Sequence, residues 1–168
     1  PRWKIRWWHE KELEEFGLTN AELFHSADQF VAADSVYQLQ SDIARYEILH
    51  RHGGLYVDCD YRWQRPLDPH LRRRTLVTGW EAQYRWVANG IIAATPRHPA
   101  LAQAIKDIPE RIRNRHPSWR ANRLTGPYLW TPIARKHAHI LHQRLLNPAP
   151  WHNPERADEP HPNAVAVH

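Results

Sequence analysis

Residues 41–60, SDIARYEILHRHGGLYVDCD, limit what this chain can fold into more than any other stretch: a helical pattern, two consecutive glycines and a strand pattern end in a pair of aspartates. Ser41 and Asp42 are good helix-start residues. Ile43, Ala44, Tyr46, Ile48 and Leu49 make the run that follows apolar in several directions, which predicts a largely buried helix to His52. Gly53 suits the left-handed position past a helix end, and Gly54 lets the backbone reverse into the strand-forming Leu55, Tyr56 and Val57. Ten helical residues rise about 15 Å, and the residues from Leu55 to Asp60 return over roughly the same distance. Asp58 and Asp60 are therefore expected level with Asp42 and Arg45, which sit one turn apart on one helix face. Four charged groups should meet at one edge.

A chain of 168 residues with 42% apolar content predicts a single globular α/β domain spanning 1–168. Its lack of methionine and its first residue, Pro1, read as a segment of a longer protein. No apolar run approaches 18 residues and no signal-peptide pattern opens the chain. Membrane association is thus not encoded in this segment, and a cytoplasmic location, or the cytoplasmic face of a membrane, is favoured. The single Cys59 excludes internal disulfides and suits a reducing compartment. A net charge of +5 favours anionic partners: nucleic acid, lipid headgroups or phosphorylated small molecules. Compositional bias explains the arginine excess equally well.

Around the centre, Trp3 to Trp8 alternates bulky with charged residues and predicts a strand. A short acidic helix over Glu10–Phe16 is stopped by Gly17, and Thr19 or Asn20 caps another through about Phe30. Thr75–Gly79 and Arg85–Thr95 read as strands. A helix from Pro99 to about Arg115 is expected to kink or split at Pro109. Another helix is expected from about Tyr128 to Leu146, and a last strand over Ala164–Val167. Helices alternating with strands indicate layered α/β architecture.

Two carboxylates at i and i+2 where a strand ends can turn toward one hard cation, and oxygen ligation suits Mg²⁺ or Mn²⁺. With eight aspartates in the chain, roughly 0.4 Asp-x-Asp pairs arise by chance, so the context carries the signal. The alternative is a strand-end turn in which Asp58 and Asp60 accept backbone or arginine hydrogen bonds while Asp42 caps the helix. Residue chemistry alone leaves both open.

Ser41, Asp42, Arg45, Tyr46, Leu49, Gly53, Gly54, Tyr56, Asp58 and Asp60, in this order and spacing, resemble the signature of the glycosyltransferase family with an Asp-x-Asp sugar-binding region. That family includes yeast-type initiating α-1,6-mannosyltransferases and, distantly, the clostridial glucosylating toxins. Pro66-Leu67-Asp68, Asn89 with Ile91 to Ala93, and Thr125-Gly126-Pro127 are weaker echoes of it. The resemblance implies a GT-A type fold, a central mixed sheet flanked by helices. It implies retaining transfer of a hexose (mannose, galactose or glucose) from a GDP- or UDP-sugar donor to a glycan, lipid or protein acceptor. It further implies Mn²⁺ or Mg²⁺ on Asp58 and Asp60, and Asp42, Arg45 and Asn89 on the sugar, with Asp42, Arg45 and Asp60 serving catalysis and Asp58 the donor. Two family features differ: the usual first strand, of Ile-His-x-x-Trp type, is absent, and Val165 to His168 resembles the start of a terminal His-rich segment near the metal.

Rival readings are a metal-dependent nuclease using the same carboxylates and a basic nucleic-acid-binding module. Scattered arginines argue against the latter, and no nucleic-acid partner is expected. His137, His139 and His142 lack partners at a telling spacing for zinc. Trp63, Trp80 and Trp86 are candidate acceptor platforms, and Glu81 a candidate polar contact to acceptor or donor.

Overall fold

The computed structural model describes residues 3–81, 83–149 and 153–168. In chain order the helices are α1 (Glu10–Phe16), α2 (Ala21–His25), α3 (Val36–His52), α4 (Asp68–Leu71), α5 (Pro99–Arg113), α6 (Ala121–Leu124), α7 (Pro127–His137) and α8 (Gln143–Leu146). The strands are β1 (Gly54–Val57), β2 (Arg62–Trp63), β3 (Leu76–Glu81), β4 (Trp86–Val87), β5 (Ile91–Ala94), β6 (His139–Leu141) and β7 (Ala166–Val167). The main sheet runs β1-β5-β3-β4, with β6 parallel to β3, so it is mixed; β2 and β7 pair separately.

Each face of the main sheet carries its own apolar cluster. Ile92 of β5 and Leu76 of β3 pack with Leu39, Ile43 and Leu49 of α3 and with Leu101, Ala104 and Ile108 of α5. Ile91 and Val77, one residue out of phase, face Tyr61, Leu67, Leu146 and Val165 instead. This is the two-residue alternation of a sheet covered on both sides.

Helix α3 begins five residues before the predicted start at Ser41. Leu39 is fully buried, so core packing extends the helix backward. Ser41 therefore lies inside it, and its hydroxyl donates to the Gln38 carbonyl at 3.0 Å. Past His52, Gly53 has φ +64°, and a Cβ there would meet the Pro96 ring and the Ala94 carbonyl. The reversal into β1 accordingly requires glycine.

Several local expectations are corrected. Trp3 to Trp8 forms no strand. It has no sheet partner among the described residues, and Trp3, Ile5 and Trp7 are exposed. The expected strand over residues 85–95 is two, β4 and β5, broken at Ala88–Gly90. Helix α5 runs unbroken through Pro109. The Ile105 carbonyl, which proline deprives of its helical donor, accepts instead from Asn20 Nδ2 at 3.2 Å. The helix expected over Tyr128–Leu146 ends at His137, and His139–Leu141 forms β6, held by Val77–Gly79 of β3. No helix among the described residues is long and apolar enough to cross a membrane.

Candidate active site

The hairpin of α3 and β1 places Asp42, Arg45 and Asp58 together. Arg45 Nη2 lies 3.1 Å from Asp42 Oδ1 and 3.5 Å from Asp58 Oδ1. Arg45 Nη1 also donates to the Asn89 carbonyl at 2.7 Å, and Nη2 to the Ser41 hydroxyl at 2.9 Å. Asn89, from the break between β4 and β5, donates from Nδ2 to Asp42 Oδ1 at 2.8 Å and to the Tyr46 hydroxyl at 3.2 Å. Thr125 Oγ1 donates to Asp42 Oδ2 at 2.7 Å, and the Tyr46 hydroxyl to the Thr125 carbonyl at 2.8 Å.

Asp42, 1% exposed, thus has both oxygens occupied. It is no helix cap, because α3 starts well before it. Burial pushes its carboxyl up to about 6, against the pull of Arg45, Thr125 and Asn89. Asp42 is accordingly ionised at neutral pH. Burial also works against the Arg45 charge, yet Asp42, Tyr56 and Asp58 hold the guanidinium above its ordinary value.

Asp60 does not join this group. Its side chain is 68% exposed and lies 3.2 Å from His168 Nε2. The expected meeting of four charges is instead two connected groups that share Asp58. Asp58 accepts from the Tyr56 hydroxyl at 2.7 Å, faces Arg45 on one side, and lies with Asp60 and His168 on the other. The ligand atoms of Asp58, Asp60 and His168 all fall within 4.8 Å of one another. Two carboxylates and an imidazole fit Mn²⁺, which accepts oxygen and nitrogen donors. The His168 ring stacks on Tyr61, with centroids 4.3 Å apart, which fixes the imidazole next to Asp60.

Gly90 makes this approach possible: a Cβ there would run into Asp58 Oδ2, and its carbonyl accepts from Asp58 N at 2.8 Å. His168, Thr125 and Gly90 are the contributors that residue chemistry did not single out. The Thr125-Gly126-Pro127 turn and the Val165–His168 resemblance marked their neighbourhoods without giving any of them a role.

Glu81, at the end of β3, also borders Asp58; burial and the Asp58 charge push its carboxyl up to about 7. Trp86 is half-buried, Trp63 lies exposed on β2, and Trp80 packs toward the helical core beneath Arg135. The three histidines weighed against zinc lie on separate elements: His137 closes α7, His139 opens β6 and His142 contacts Tyr84. Several of the described arginines tie down main-chain carbonyls. Arg51 holds those of Phe16 and Gly17, Arg62 that of Ala157, and Arg111 those of Arg123 and Leu124.

The α/β domain of GT-A type thus carries an acidic pair at the end of a strand and an Asp/Arg pair beside it. Residues 7–77 match the family described as glycosyltransferase sugar-binding region containing DXD motif. It is 32% identical to inositol phosphoceramide mannosyltransferase 1 of Schizosaccharomyces pombe over 63% of its length. To mannosyltransferase 3 of the same organism it is 27% identical over 91% of its length. The chain covers 32% and 40% of those two proteins. The solved structure of PaToxG glycosyltransferase superposes with a TM-score of 0.54 at 18% identity, over 76% of this chain and 44% of that one, a likeness of fold.

Proposed function

We propose that this chain carries the donor site of a retaining, metal-assisted hexosyltransferase that uses a nucleotide-diphosphate sugar, GDP- or UDP-linked, and transfers the hexose to a hydroxyl of a glycan, lipid or protein. Mannose leads among the hexoses because the similar fission-yeast proteins are named as mannosyltransferases. One observation carries the reading. Asp58 faces the Arg45–Asp42 pair on one side and the Asp60–His168 pair on the other, so a cation-bridged diphosphate and the sugar attached to it have adjoining places.

Asp58, Asp60 and His168 would hold the cation, which when bound stabilises charge on the departing diphosphate. Arg45, fixed by Asp42, Ser41 and the Asn89 carbonyl, presents positive charge toward the same region without reorganising. Asp42 and Asn89 are buried and bonded to each other, so contact with the sugar requires this shell to open as donor enters. Until then Asp42 acts through Arg45 and Asn89 as a positioning residue.

Calorimetric titration of the full-length protein with GDP-mannose, UDP-glucose and UDP-galactose plus Mn²⁺, against short DNA and RNA, tests the reading. Saturable nucleotide-sugar binding that Asp60→Asn removes is the expected result. Salt-sensitive nucleic-acid binding that is indifferent to Asp60→Asn would sink it.

A further inference from the structure

Glu81 borders the site as an acidic side chain to which no described residue donates a hydrogen bond. It ends β3, is half-buried, and its side chain forms neither a hydrogen bond nor an ion pair with any described group. The side chains of β3 alternate, so Glu81 projects to the side of Val77, the cluster that holds Tyr61. Donors close by are already committed: the Tyr61 hydroxyl to Asn147 Oδ1 at 2.6 Å, and Asn147 Nδ2 to the Trp80 carbonyl at 3.0 Å. The charged neighbour that remains is Asp58, another carboxylate. A half-buried acceptor in such a place can take its donor from a ligand.

Two further features narrow the ligand. Glu81 stands directly opposite Trp86 in the β3–β4 pairing, and directly opposed residues share a sheet face. Trp86 packs at 4.0 Å on Tyr128, which makes a fixed aromatic wall beside the carboxylate. A polyhydroxylated ring supplies both hydroxyl donors and an apolar C–H surface. The donor-sugar group belongs to the other face of the sheet: Asn89 bonds Tyr46, which packs in the cluster of Ile92 and α3. Glu81, on the Val77 face, is therefore placed for a second substrate.

We propose that Glu81 and Trp86 form the acceptor subsite, with Glu81 accepting a hydrogen bond from a hydroxyl of a sugar or cyclitol ring set against the Trp86–Tyr128 wall. The term acceptor rests on the donor reading above; the ring-binding claim does not.

The test is NMR of the isotope-labelled full-length protein, following the Trp86 indole N–H, assigned with Trp86→Phe. Methyl α-D-mannopyranoside and myo-inositol are titrated with and without Mn²⁺ and nucleotide sugar. At least one ring should shift that signal saturably, and Glu81→Gln, which keeps the volume, should weaken the effect by about tenfold, as loss of a charged acceptor does. Calorimetric affinities for Mn²⁺ and nucleotide sugar should stay within about twofold of the parent. An unmoved Trp86 signal overturns the inference, as does an unchanged ring affinity in Glu81→Gln. A large loss of Mn²⁺ or donor affinity in that variant overturns it too, by placing Glu81 on the donor side. Because the rings are also titrated without donor, a wild-type protein that binds no nucleotide sugar counts against the proposed function and leaves this test standing.

Discussion

Asp42 and Asp60 bound the same twenty-residue motif, yet their side chains are 1% and 68% exposed. Asp42 is closed in by Arg45, Asn89 and Thr125, three elements of the fold that it ties together. Asp60 has His168 and open water. A carboxylate whose lone pairs are filled by its own chain holds a scaffold; one left half-coordinated is available to a ligand. Asp58 takes part in both arrangements, and substitutions on either side of it should separate stability from chemistry.

The largest effect is expected on the buried side. Arg45→Met leaves the Asp42 charge without its cation, and loss of one partner from a buried pair costs about 3–5 kcal/mol. Urea midpoints should fall accordingly and transfer should cease; a variant as stable as the parent would show that the pair holds nothing. Asp60→Asn should invert this pattern. Transfer by the full-length protein should drop by at least about 100-fold, while stability measured in chelator stays within about 0.5 kcal/mol, as for other exposed surface changes. Retained turnover would remove Asp60 from the metal.

Gly90→Ala probes the link between the halves. Its Cβ would displace the Asp58 carboxylate, so stability should fall by about 1–3 kcal/mol, with weaker Mn²⁺ binding by calorimetry. Unaltered Mn²⁺ affinity would mean that Asp58 has room to move.

The smallest effect is in pH dependence. The Glu81 carboxyl is raised above its unfolded value to about 7, so the folded chain holds a proton that the unfolded chain has released. The parent's stability should therefore decline as pH rises from the ordinary glutamate range to about 7, and level off above it. Glu81→Gln should remove that decline, becoming more stable than the parent at pH 8, by on the order of 2 kcal/mol, and not at pH 4. Equal slopes for the two proteins in chelator would show Glu81 to be better solvated than its position indicates.

Much of this arrangement was legible in the chain. The helix, the glycine reversal and the strand follow from local rules, because a buried apolar run, a residue at φ +64° and strand-forming side chains each act within a few neighbours. The Asp42–Arg45 pair followed from helical spacing. What could not be read depended on distant partners. Pro109 stays within α5 because Asn20, far away in sequence, takes over the orphaned Ile105 carbonyl. Residues 139–141 form a strand because β3 offers an edge, whatever their own propensity. Trp3 to Trp8 shows the converse: an ideal alternation that pairs with no described strand forms none.

The same division holds for the site. Sequence alone determined which residues carry its charge and that Asp42, Arg45 and Asp58 share one hairpin end, since covalent spacing and backbone geometry act locally. Tertiary structure decided that Asp42 is sealed by Thr125 and Asn89, that His168 reaches Asp60, and that Glu81 has no donor among the described residues. Burial and hydrogen-bond satisfaction depend on what the rest of the chain brings up against a residue, and no local pattern encodes that.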